Sequence, residues 1–463
     1  MSLSVPSNAG VPHSTLAKYK EKFLSSPKNL LAQNGCTTQN LLDMCKSRNS
    51  IQAINHTFDL KIENEGKPIT DQKFSGRCWI FACLNIMRIP FMKQYKMEEF
   101  EFSQAYLFYW DKIERANYLL DSFIDCARKG ETYEGRLIHH LLKNPLEDGG
   151  QWDMLVNLIE KYGVLPKACF PESWCAENSN RLDRLLNNRL REFCMQICQL
   201  IEKGTGEVEI QSEKTVMMEE VYRIMNIVLG TPPEKFTFEY TDTDKKYQSF
   251  KDLSPLQFYK DYIKGVVFDI EEYVCVVNDP RPQNSYNKLY TVEYLGNMSG
   301  GRKVLYINQP VDVLKQLTRK CISENKPVWF GCDVGKSFCS KEGLLDLKCL
   351  DFTLVFDVDP LKMNKSERLM YGESLMTHAM VFTGVGTEQS GNPGDVKATK
   401  WRVENSWGDK DGSKGYILMT DDWFTEFVYE VVVPKSLLSE DMQRILDQEP
   451  VVLPAWDPMG ALA

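Results

Sequence analysis

Residues 66–92 read GKPITDQKFSGRCWIFACLNIMRIPFM, a loop that turns into an apolar helix at Cys78. Pro68, Ser75 and Gly76 favour the loop, and Trp79, Ile80, Phe81, Cys83, Leu84, Ile86 and Met87 then form a run that suits a buried helix. Cys78 therefore stands at a helix mouth. Unpaired backbone N–H groups and the positive end of the helix dipole favour thiolate over thiol there, which is the condition for a reactive cysteine. Cys83, deeper in the same run, lacks that environment and reads as packing. Gln72, on the loop upstream, can swing an amide N–H towards an oxyanion while the Cys78 N–H supplies a second donor, as acyl transfer requires. Taken alone, the segment also admits a small buried cysteine that happens to begin a helix.

Two later segments shift that balance. GESLMTHAMVFTGVG (372–386) places His378 at the start of an apolar strand-like run, where a rigid scaffold can hold an imidazole as a general base. KWRVENSWGDKDGSKGYILMT (400–420) presents Asn405, Ser406 and Trp407 in a turn between two strands. A neutral asparagine can fix the orientation of an imidazole without adding charge, so a thiolate–imidazolium pair stays feasible, and Trp407 can shield that hydrogen bond from water. The other histidines, His13, His56, His139 and His140, lie in a polar arm, a polar turn and a helical run, and read as structural.

The string Q-x5-C-W before a hydrophobic helix, the order Cys…His…Asn, the N-S-W-G-x(n)-G-Y motif and ENKPVWFGCDVG (324–335) together resemble the papain family of cysteine peptidases. The resemblance implies an α+β, papain-like two-lobe fold, with a helical lobe and an antiparallel β lobe. It assigns Cys78 as nucleophile, His378 as base, Asn405 as orienting residue and Gln72 as oxyanion donor. The DGGQW stretch resembles the family's glycine pair, so Gly149 and Gly150 are expected to offer backbone to an extended peptide, with glycine allowing close approach. This chain departs from the pattern in two ways. S-G-R-C-W replaces C-G-S-C-W, removing a cysteine that secreted members pair in a disulfide. His378 and Asn405 follow Cys78 by 300 and 327 residues, far beyond the usual gap of roughly 130–150, so a large inserted subdomain is expected.

The spacing, the variant nucleophile string and the ending PAWDPMGALA (454–463) are similar to a cytosolic aminopeptidase branch of that family. That likeness implies peptide substrates with free N-termini, a homohexamer with active sites facing an internal chamber, and a C-terminal arm lying in each cleft. Amides of glycopeptide drugs and thiolactones are further substrates it implies. The tail supports part of this on its own terms. Pro454 and Pro458 bar a helix, Trp456 and Met459 can anchor to a groove, and the Ala463 carboxylate can meet a substrate's α-ammonium.

Composition bounds the alternatives. At 463 residues the chain suggests roughly three structural units. Its net charge of −9 disfavours phosphate backbones, so nucleic acid is an unlikely partner. The first thirty residues contain no signal-like apolar stretch, and no 18-residue apolar run occurs, so a cytoplasmic protein that spans no membrane is expected. The 14 cysteines then read as reduced thiols; Cys194 and Cys198 fall on a helix core stripe. With no C-x2-C pair and scattered histidines, neither metal nor other cofactor is expected. A transglutaminase-like acyl transferase normally uses Asp where Asn405 stands, and a scaffold would require a vestigial triad.

The expected organisation is an N-terminal arm with short helices (1–60), a helical lobe carrying Cys78 (61–203), an inserted helical, oligomerisation subdomain (204–310), a β-rich lobe carrying His378 and Asn405 (311–440), and the C-terminal arm (441–463). The break near 204 rests on the turn-rich stretches KGTGEVE, LGTPPEKFTFEYTDTDKKYQ and VVNDPRPQNSYNK.

Overall fold

A computed structural model describes residues 10–389 and 396–462. The apolar run after Cys78 forms the helix Cys78–Gln94, in which Pro90, Lys93 and Gln94 alone escape burial. Such a helix has no polar face to give to water, so it must be surrounded. Helices Gln104–Arg128, Trp152–Tyr162, Asn180–Glu202 and Glu207–Leu229 do this from one side.

The other side is a sheet. In chain order its strands, with one separate hairpin, are β1 (Leu60–Lys61), β2 (Phe236–Thr241), β3 (Tyr247–Leu253), β4 (Tyr273–Val277), β5 (Lys288–Val292), β6 (Tyr306–Asn308), β7 (Val328–Cys332), β8 (Phe338–Cys339), β9 (Leu344–Leu345), β10 (His378–Gln389), β11 (Val396–Glu404), β12 (Tyr416–Thr420), β13 (Val428–Pro434) and β14 (Val451–Leu453). β2 and β3 pair only with each other; the rest form one sheet in the order β14-β5-β6-β4-β13-β7-β10-β11-β12-β9-β8, with β1 added alongside β10. Its centre, β4-β13-β7-β10-β11-β12, is antiparallel throughout.

Strand alternation assigns the two faces. Cys275, Val277, Trp329, Val381 and Val432 join the core shared with the helical lobe. Their neighbours Val274, Val276, Phe330, Phe382, Val431 and Val433 pack on the opposite side against helices Val311–Ser323 and Asp421–Phe427. The sheet is thus buried on both faces, which explains runs such as YVCVV in β4 and VYEVVVP in β13.

Residues 204–310 do not form one separate insert. The helix Glu207–Leu229 packs on the helical lobe, and the β2–β3 hairpin lies against the far end of the Cys78–Gln94 helix through Phe91, Tyr95 and Phe250. β4, β5 and β6 are strands of the main sheet itself. Turn residues in the sequence mark the loops between these elements correctly, but a turn carries no record of which sheet the next strand joins.

Buried polar contacts cross between helices and sheet. Arg88 Nη2 meets Glu404 at 3.0 Å, Thr70 Oγ1 donates to Ser406 Oγ at 3.1 Å, and Trp329 Nε1 donates to the Trp79 carbonyl at 3.2 Å. After the short helix Glu440–Ile445, the chain returns as β14, parallel to β5, and residues 454–462 run on from there.

Candidate active site

Cys78 is the first residue of its helix and His378 the first residue of β10, while Asn405 follows the last residue of β11. Each side chain therefore hangs on the end of a regular element whose ladder or turn fixes its origin. All three are buried, and the Ala379 N–H donates to Cys78 Sγ at 3.4 Å, which joins the helix mouth to the strand start.

The tautomer of His378 follows from its neighbours. His378 Nε2 lies 2.9 Å from Asn405 Oδ1, and the Ser406 N–H donates to that same atom at 2.8 Å. A backbone N–H can only donate, so the atom is the amide oxygen; Nε2 must therefore carry the imidazole proton. Nδ1 is left as the nitrogen free to exchange a proton. The Trp407 ring stands over the imidazole, with centroids 4.9 Å apart.

Burial changes the electrostatics expected from the helix mouth. It pushes the Cys78 thiol up to about 11, against the opposing pull of N–H groups from Ala379, Trp79 and Cys78 itself. It also lowers the His378 imidazolium to about 4, although the Asn405 hydrogen bond works the other way. Each charge alone is too costly to bury. Burial thus disfavours either charge alone, and passage of one proton from Cys78 to His378 would set the two charges against each other so that their attraction offsets both penalties.

The loop before Cys78 is held by groups that the sequence did not single out. Asp148 accepts from the Gly76 N–H at 3.0 Å and pairs with Lys112 at 2.6 Å, and its own carbonyl accepts from Trp79 Nε1 at 2.6 Å. Lys112 holds the Asp148 carboxyl well below the usual range against the cost of burial. Arg77 is buried between the Phe81 and Phe108 rings and pairs with Glu172 at 2.8 Å. Asp148 sits beside the glycine pair in the sequence, but nothing there marks Lys112 as its partner or Glu172 as the partner of Arg77.

Gln72 lines the same cavity as Cys78 and His378, and its Nε2 donates to the Ser75 carbonyl at 2.6 Å. One amide N–H is thus engaged by the loop, leaving the second for a ligand. Gly149 also lines the cavity, with its carbonyl taken by Arg115 at 2.9 Å. Gly150 has a further reason to be glycine: a Cβ there would lie 2.6 Å from the Trp79 ring, so the backbone passes close against the chain's own indole. Ala463 lies outside the described residues.

The cavity holds about 570 Å³, and Leu462 is among the residues that line it. A second cavity of about 820 Å³ lies along residues 454–462 and is lined by His140 and Arg136. Trp456 anchors there beneath the Arg136 guanidinium, 4.3 Å from its ring centroid, and Met459 is buried with its carbonyl accepting from the Tyr306 hydroxyl at 3.2 Å.

This arrangement has known counterparts. Bleomycin hydrolase of Homo sapiens is 54% identical over 457 residues, covering 99% of this chain and all of that one. Aminopeptidase C of Lactobacillus delbrueckii subsp. lactis is 40% identical, covering 97% of this chain and 98% of its own length. The crystal structure of PepW from Lactobacillus rhamnosis superposes with a TM-score of 0.93 at 40% identity, covering 98% of this chain and all of that one. The sequence model of the Peptidase C1-like family matches residues 10–460. By fold, by relatives and by that match, the chain belongs to the Peptidase C1-like family and is a cysteine peptidase of papain-like architecture.

Proposed function

We propose that this chain is a cysteine aminopeptidase in which Cys78, His378, Asn405 and Gln72 carry the chemistry and the C-terminal arm sets the substrate's starting point. The observation that carries the reading is Leu462 lining the same cavity as Cys78 and His378. A peptide entering that cavity meets the arm in the same space as the nucleophile.

In this mechanism the Cys78 proton passes to His378 Nδ1 as Sγ attacks the peptide carbonyl carbon. The Cys78 N–H and the second Gln72 N–H stabilise the resulting oxyanion. His378 then protonates the departing amine, the C–N bond breaks, and a thioester remains on Cys78. Water, deprotonated by His378, attacks that thioester and frees the thiol. Asn405 keeps the ring aligned through both halves. Gly149, Gly150 and Trp407 frame the site, and the Ala463 carboxylate is the proposed partner of the substrate α-ammonium. By likeness to the human relative, the bleomycin amide is a further substrate.

A homohexamer is the proposed assembly. Support comes from the helix His13–Leu24, which has no buried residue, and from the exposed apolar side chains Leu16, Tyr19, Leu31, Leu354 and Val358. Apolar surface of this kind marks a place for another subunit; the number six rests on the resemblance. A cytoplasmic location is likewise proposed. No helix among the described residues is long and apolar enough to cross a membrane.

The test compares hydrolysis of free and N-acetylated peptides by wild type, Cys78→Ala and a chain ending at Pro454. Cys78→Ala should abolish cleavage, and the truncation should admit acetylated peptides. Activity in the Cys78 variant, or unchanged specificity after truncation, refutes the corresponding half.

A further inference from the structure

The turn-rich segment VVNDPRPQNSYNK (276–288) has no part in the chemistry above. It leaves β4 as a loop that carries Arg281 into a buried position, 5% exposed. One edge of the guanidinium is filled by Asp279, with Nε to Oδ1 at 2.9 Å and Nη2 to Oδ2 at 2.8 Å. Asn284 Nδ2 donates to the same carboxylate at 2.6 Å, and Asn308 Nδ2 closes the loop on the Asp279 and Asn284 carbonyls at 3.0 and 3.1 Å. The loop thus braces Arg281 from within, leaving the outer edge for one further carboxylate.

That carboxylate comes from the arm. Asp457 accepts from Arg281 Nη1 at 3.1 Å and Nη2 at 2.7 Å, with both side chains under a tenth exposed. The same Asp457 accepts from the Met459 N–H at 2.9 Å, which caps the turn Pro458–Gly460. Beyond the turn, Gln151 Nε2 donates to the Ala461 carbonyl at 2.7 Å, and Leu462 reaches the Cys78 cavity. A two-point guanidinium–carboxylate contact has one register, unlike a point charge. Slippage by one residue of extended chain moves the arm tip by about 3.3 Å, roughly one substrate residue.

We propose that Arg281 is a specificity-positioning residue: the Asp279–Arg281 loop is a socket for Asp457 and so fixes how far the arm reaches towards Cys78. The inference rests on the aminopeptidase reading above. It has a signature that a simple staple lacks. Removing Arg281 leaves the Asp279 and Asp457 carboxylates facing each other, and their repulsion drives the arm out harder than loss of Asp457 does. Removing Asp457 as well relieves that repulsion.

The experiment measures kcat/KM for a free against an acetylated peptide, with product masses, in wild type, Asp457→Ala, Arg281→Met, Arg281→Lys and the double variant Arg281→Met/Asp457→Ala. Folding of each is checked by thermal melting. The free-to-blocked ratio should fall at least tenfold in Asp457→Ala and further in Arg281→Met, with dipeptides appearing among the products. It should fall partway in Arg281→Lys, and the double variant should return to the Asp457→Ala level. A folded Asp457→Ala with the wild-type ratio and products overturns the proposal, as does a double variant worse than Arg281→Met. If Arg281→Met does not fold, Asp457→Ala decides, since it leaves Asp279 and Arg281 paired. A wild type indifferent to acetylation overturns the aminopeptidase reading itself, and this inference with it.

Discussion

Replacing His378 by glutamine keeps the space near Cys78 filled while removing the only proton acceptor assigned to it. With burial pushing its thiol up to about 11, Cys78 alone would be thiolate in about one molecule in 10⁴ at pH 7, a deficit of about 5 kcal/mol at 1.36 kcal/mol per pH unit. In wild type the imidazole takes that proton and the two charges compensate. Because the thiolate is the reacting species, alkylation of Cys78 by iodoacetamide at pH 7 should slow by at least 10²-fold in His378→Gln. The variant's rate should rise about tenfold per pH unit, whereas the wild-type rate should stay level between about pH 6 and 8. Mass spectrometry of the modified peptide gives both rates and supplies its own control: Cys83 in the same helix is fully buried, with its thiol pushed up by burial alone, and should stay unmodified. Equal rates for wild type and variant at pH 7 would refute the claim that the pair, rather than the helix mouth, generates the thiolate.

Asn405→Ala should lower kcat by about 10–10²-fold with little change in KM, because it orphans the His378 Nε2–H and frees the ring to turn; steady-state kinetics would show it. Glu430 is buried in β13 and accepts no hydrogen bond from nitrogen or oxygen among the described residues, and burial raises its carboxyl to about 8. The native state then binds more protons than the unfolded chain between about pH 4.5 and 8, so stability falls as pH rises through that window. From pH 5 to 8 the loss is about 3.5 kcal/mol, and Glu430→Gln should abolish that slope in urea unfolding, since any fixed cost of the amide cancels between the two pH values. Gly150→Ala forces a Cβ to within 2.6 Å of the Trp79 ring and should cost about 1–3 kcal/mol in thermal or urea unfolding.

What the sequence discloses here is local chemistry. Cys78, His378 and Asn405 each announce themselves by the element they terminate; the N–H of Ala379, next to His378, donates to Cys78 Sγ at 3.4 Å, and His378 Nε2 lies 2.9 Å from Asn405 Oδ1. The helix that begins at Cys78 and the strand that begins at His378 fall where their apolar runs put them, because burial writes a pattern into the residues. Partnership across long separations is not written that way. Nothing in YVCVV tells β4 to join β13, and nothing in Lys112 points to Asp148, since a pairing needs only complementary groups and leaves no periodic trace. The glycine pair shows the same limit: a glycine signals close approach, but its neighbour can be a ligand or, as with Gly150, an indole from the chain itself.

The contacts between Arg88 and Glu404, Thr70 and Ser406, and Trp329 and Trp79 join two bodies that each hold only part of the catalyst. The nucleophile belongs to one and the base with its orienting amide to the other. Catalysis therefore behaves as a logical conjunction, on only when both halves are present and in register. A chain divided in the sequence anywhere between the helix Cys78–Gln94 and β10 would leave each fragment silent, because neither carries both nucleophile and base.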